Sequence, residues 1–144
     1  MPELAVKNEL ISQKASETPS PLTLQSLACY RLSLECFSLP FFFDEGFSFS
    51  KRCVDLRREV LEALGAGFFS YGQLKVVWYQ RARSCVGAIV GLLQSDPAAI
   101  EKHQDTLFFL EKKLLPAFSS LLKKMERSRN FPKAKHEPRP TRYF

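Results

Sequence analysis

The sequence predicts an all-α protein, a single-domain bundle of about four helices spanning 21–38, 50–64, 70–94 and 97–126. Three observations carry this. Apolar residues recur every three to four positions over most of the chain, which is the spacing of one helix face. Proline and glycine fall between these runs more often than inside them, and no stretch alternates with the period of two that a strand requires. The length of 144 residues suits one domain, and the 45% apolar and 25% charged fractions are ordinary globular values.

Residues 1–20 are polar, end in Thr18-Pro19-Ser20-Pro21, and read as a flexible arm. Leu4, Val6, Leu10 and Ile11 supply one or two helical turns at most, too few to persist alone. The first helix should open at Pro21, with Ser20 as its N-cap and proline where a missing N–H costs nothing. Leu24, Leu27, Leu34 and Phe37 share one side, and Cys29, Leu32 and Cys36 an adjacent one. Pro40 ends it, because the residue before proline is pushed out of the helical region.

A connection follows, reading Phe-Phe-Phe-Asp-Glu-Gly-Phe-Ser-Phe over 41–49. Ser50 is the expected N-cap of the second helix, with Val54, Val60, Leu61 and Leu64 inward and Asp55, Arg58, Glu59 and Glu62 outward. Gly65-Ala66-Gly67 is expected to stop it. The third helix is read as the central element, with Tyr71, Leu74, Trp78, Ala82, Cys85, Ile89 and Leu92 on one face and Val86, Val90 and Leu93 on a second. Gly87 and Gly91, four apart, would let another helix approach closely.

Ser95-Asp96-Pro97 opens the fourth helix with a cap and a first-position proline. Ile100, Leu107, Leu110, Leu114, Phe118, Leu121 and Met125 keep helical spacing along it. Pro116 lies within this run and is expected to kink or split the helix. From 127 onward, prolines 132, 138 and 140 and the charge density predict a disordered basic tail over 127–144.

The charge distribution separates tail from bundle. From Lys123 to the end, Lys123, Lys124, Arg127, Arg129, Lys133, Lys135, Arg139 and Arg142 stand against Glu126 and Glu137, so residues 123–144 carry the whole net charge of +6. Such a run can contact phosphates without sequence preference, or direct a protein to the nucleus. Lys123, Lys124, Arg127, Arg129, Lys133 and Lys135 are the candidate residues for either role.

Catalytic motifs are not evident. His103 and His136 are the two histidines, and as a general base His103 would need a spatial partner that sequence does not show. Cys29, Cys36, Cys53 and Cys85 lack the paired short spacing of a zinc site and read as buried thiols in a reducing compartment. Gly65-Ala66-Gly67 lacks the lysine and third glycine of a phosphate loop. No cofactor is implied. The start lacks the apolar core of a secretory signal, and the longest mid-chain apolar stretch, residues 86–93, is far short of a membrane span. The expectation is a non-enzymatic intracellular protein, with a small enzyme of unfamiliar motif as the alternative.

A protein partner is the expected ligand. Phe37, Phe41, Phe42, Phe43, Phe47 and Phe49 crowd into thirteen residues, and water will not tolerate all of them exposed. They either close the end of the bundle or anchor a partner, with Phe41, Phe42, Phe43 and Phe47 the candidate anchors. Leu24, Leu27, Ala28 and Leu32 on the first helix are candidates beside them. The segment Thr23-Leu24-Gln25-Ser26-Leu27-Ala28-Cys29-Tyr30-Arg31-Leu32 resembles the box by which ubiquitin-ligase substrate receptors bind elongin B/C. That resemblance covers ten residues and implies Leu24 as anchor, Ala28 as small contact and Leu32 as aliphatic contact. Leu39-Pro40 would stand for the family's cullin-contacting element, closer than usual and without its second proline. The preferred reading is a helical adaptor or complex subunit in the nucleus. A ubiquitin-ligase adaptor and a nucleic-acid accessory protein are the alternatives.

Overall fold

A computed structural model describes residues 23–136, with side chains described as far as Arg127. The expected arm at 1–20, the start at Pro21 and the last tail residues therefore lie outside the described residues. Among those described the chain is helical and contains no strand. It forms the predicted bundle: α1 (Ala28–Cys36), α2 (Ser50–Phe68), α3 (Gly72–Gln94), α4 (Pro97–Lys102), α5 (Gln104–Phe109) and α6 (Leu115–His136).

The first helix starts later than its apolar pattern suggests. Leu24–Ser26 makes a separate 3-10 turn, held by the Ser26 hydroxyl on the Thr23 carbonyl at 2.6 Å, and Leu27 is extended. At the other end Leu39 takes the extended conformation that a following proline demands, and Pro40–Phe43 forms a second 3-10 turn.

Helices α2 and α3 form the principal hairpin. Gly67 meets Tyr79 and Glu59 meets Cys85, so the two run antiparallel. The expected stop at Gly65-Ala66-Gly67 does not occur; α2 continues to Phe68. Gly67 serves close packing instead, since a Cβ there would sit 2.7 Å from the Tyr79 ring. The left-handed residue of the corner is Gly72, at φ 59°.

The buried stripe of α3 is Val76, Tyr79, Ala82, Cys85, Val86, Ile89 and Leu93. Tyr71 and Leu74, expected inward, are exposed. At 100° per residue Leu74 lies about a third of a turn from the Val86 side, and it is Val86 that faces the core. Among the described residues no helix packs on Gly87 or Gly91: a Cβ at either would meet nothing within 4 Å.

Asp96 caps α4 as expected, its Oδ1 accepting the Ala98 N–H at 3.0 Å, with Pro97 in the first position. The break predicted at Pro116 falls elsewhere. His103 leaves helical geometry at φ −123°, ψ 49°, and separates α4 from α5. Before the proline the chain widens into a π-helical turn over Leu110–Leu114, with the Leu115 N–H bonded to the Leu110 carbonyl. The wider turn makes room where the Pro116 ring would strike a preceding carbonyl, and the helix carries on. It reaches His136, ten residues past the expected end at 126. Leu110, Leu114 and Phe118 pack at the centre against Val60, Leu64, Val86, Ile89 and Leu93, all fully buried.

Candidate functional site

The loop from Pro40 to Phe49 sorts its aromatics into two populations. Phe41 and Phe42 are each 3% exposed and pack edge-on at 5.1 Å; Phe37 meets Phe42 at 5.0 Å. As candidate partner anchors Phe41 and Phe42 are corrected: both are inserted into the core, and only an edge of Phe42 reaches the cleft between the loop and α2. Phe43, next in the chain, is 65% exposed. A 3-10 turn rotates successive side chains by about 120°, so three adjacent phenylalanines cannot all face one way. Phe47 is half-buried and stacks on Phe49 at 5.6 Å.

Polar contacts hold the loop in this arrangement. Asp44 Oδ2 accepts from His103 Nε2 at 2.8 Å and from Lys102 Nζ at 3.0 Å, while its Oδ1 accepts the Gly46 N–H at 2.9 Å. The His103 hydrogen bond first, then the Gly46 N–H and Lys102, hold the Asp44 carboxyl far below its usual range. His103 is buried, its ring edge-on to Phe41 at 5.1 Å and Phe47 at 5.9 Å. Ser50 begins α2 without capping it. Its hydroxyl turns back to donate to the Asp44 carbonyl at 2.7 Å and accept the Phe47 N–H at 3.2 Å.

Beside this latch a cleft of about 580 Å³ opens between the loop and the first half of α2. Phe42, Phe43, Phe47 and Val54 form its apolar part; Lys51 and Arg57 bring positive charge and Glu45 negative charge. Arg57 spans the wall. Its Nη1 donates to the Phe37 carbonyl at 3.1 Å, and its guanidinium lies 5.4 Å from the Phe43 ring centre and 5.8 Å from that of Phe42.

The other candidates are scattered. Leu27 and Leu32 are half-buried against the core, Leu24 is half-buried in its separate turn, and Ala28 is exposed at the start of α1. The box-like spacing of Leu24, Ala28 and Leu32 would place them on one stripe only in a continuous helix, and the extended Leu27 interrupts it. Lys123, Lys124 and Arg127 are exposed on α6. Arg129, Lys133 and Lys135 belong to the α6 backbone, but their side chains lie outside the described residues.

Sequence reasoning passed over Asp44, Lys102 and Arg57. A local signal exists for the first: Asp44 two residues before Gly46 is an Asx-turn pattern. Nothing local marks its pairing with His103. Among the described residues no group of three His, Cys, Asp or Glu side chains is placed to hold a metal ion, and no helix is long and apolar enough to cross a membrane. No protein-family model, curated protein or solved structure matches the chain.

Proposed function

We propose that this chain is a non-enzymatic helical adaptor, or a subunit of a larger nuclear complex, that docks a protein partner at the Phe-rich loop and the neighbouring face of α1. The observation that carries this reading is Phe43. It stays 65% exposed beside a cleft while Phe41 and Phe42 are inserted into the core. A large ring held outward by an ordered loop loses little entropy on binding, which suits a hot-spot anchor. Leu34, 43% exposed on α1, and Ala28 at its start are the exposed apolar residues of that helix. The exposed Lys123, Lys124 and Arg127 suit localisation or phosphate contacts. The absence of enzymatic activity is part of the proposal. Its support is that the four described thiols are buried and His103 Nε2 is engaged by Asp44.

Affinity purification of wild type against Phe43→Ser tests it. The variant should keep its melting temperature and lose at least one partner. An unchanged partner list from a folded variant would remove the surface. The elongin-box reading needs the 3-10 turn and Leu27 to join α1 as one helix on binding; Leu24→Asp, with retention of elongin B/C as readout, separates it from the Phe43 reading.

A further inference from the structure

Given a protein partner at the Phe43 cleft, on which reading the following rests, the lining side chains restrict that partner's chemistry. The charges of α2 are mostly satisfied within the protein: Arg52 pairs with Glu59 at 3.6 Å and Arg58 with Asp55 at 3.6 Å. Lys51 and Arg57 differ. Among the described residues neither forms an ion pair, and these are the two cations that line the cleft. Of the two cleft carboxylates, Asp44 is committed to His103, Lys102 and the Gly46 N–H, which leaves Glu45. Arg57 uses Nη1 on the Phe37 carbonyl and lies against two ring faces, so its planar fork is already oriented with donors to spare. That is the state in which a guanidinium takes a carboxylate in two parallel hydrogen bonds.

We propose that the cleft receives a short partner segment presenting an apolar or aromatic side chain next to one or two carboxylates. The apolar group rests on Phe43, Phe47 and Val54; a carboxylate meets Arg57, with Lys51 adding long-range attraction. Glu45 works against a long acidic run. Two cations and one opposing carboxylate are also too few to track a phosphate backbone, which favours a peptide over a nucleic acid.

The test uses the full chain and three fluorescein-labelled peptide pools, otherwise randomised, with fixed centres Phe-Glu-Glu, Phe-Gln-Gln and Phe-Lys-Lys, read by fluorescence anisotropy. The Phe-Glu-Glu pool should bind about tenfold more tightly than Phe-Gln-Gln at low salt, with the advantage shrinking as salt rises. Lys51→Glu, an exposed change that spares the fold, should erase most of the advantage. Arg57→Lys, which keeps the charge and removes the fork, should reduce it severalfold. Equal binding of the pools, no binding by any, preference for Phe-Lys-Lys, or displacement by single-stranded oligothymidine would each overturn the inference. Its failure is distinct from failure of the docking reading. If Phe43→Ser removes a cellular partner that Lys51→Glu retains undiminished at low salt, only the acidic segment is wrong. If Phe43→Ser removes none, both fall.

Discussion

His103 Nε2 and Asp44 Oδ2 meet at 2.8 Å across 59 residues of chain. An ionised carboxylate only accepts, so Nε2 carries the proton and donates. The contact joins the Phe-rich loop to the break between α4 and α5, and both irregular features have their partner in it. Leaving helical geometry at His103 turns the imidazole inward, and the loop, with no strand pairing of its own, is fixed by the acid that the imidazole holds. The course of the loop beside Phe43 depends on this latch.

That dependence sets a pH signature. Asp44 has its folded-state pKa depressed, so its contribution is fully present above the ordinary carboxylate value of about 4 and is lost progressively as pH falls below it. Urea denaturation of wild type and Asp44→Asn should show a gap that narrows from about pH 4 downward. A gap of the same size at about pH 6 and about pH 3 would show that Asp44 is not held by these contacts.

The two glycines near the end of α2 should respond oppositely to alanine. At Gly67 the new methyl would lie 2.7 and 2.8 Å from ring atoms of the buried Tyr79 and 3.0 Å from Trp78 Cβ, and overpacking of this kind costs about 1–3 kcal/mol. At Gly65 it would meet nothing within 4 Å, so Gly65→Ala should stabilise by about 0.5–1 kcal/mol through helix propensity. Shifts of the same sign in both variants would contradict the packing described.

Adjacent phenylalanines should differ as sharply. Phe42→Ala empties a fully packed site and should cost about 3–5 kcal/mol, whereas Phe43→Ala should stay within about 0.5 kcal/mol of wild type. Chemical denaturation of the pair measures the difference directly, and similar losses would mean that Phe43 is also buried.

The cysteines supply a folding probe. Burial pushes Cys29 and Cys53 up to about 11 and, with nearby Glu35 adding to it, Cys36 up to about 12; Cys85 is raised by burial and by Glu59. Thiolate being the reactive species, the native protein should resist alkylation at about pH 8 and release all four thiols in denaturant. Rapid labelling of any one under native conditions would show that its helix opens locally.

Periodic apolar spacing was sufficient to identify the helices, because burying a stripe every 3.6 residues is a local requirement written into each segment. Asp96-Pro97 and the inward line of Leu110, Leu114 and Phe118 were legible for that reason. What depends on a neighbour was not. Glycines 65 and 67 look alike in sequence, and only the approach of Tyr79 gives the second its role. Pro116 looks like the break in the last helix, yet a π-turn absorbs it, and the real interruption is at a histidine whose partner is 59 residues away.

The same division holds for the candidate surface. Composition alone determined that the phenylalanine cluster had to be largely buried, since that much aromatic surface cannot remain in water. Which ring stays outside was decided by the rotation of the Pro40–Phe43 turn and by Arg57 reaching across from α2, while the Asp44 latch sets the course of the loop beside it. Hydrophobicity is a property of a residue; exposure is a property of its neighbours, and those are assembled only when distant parts of the chain fold together.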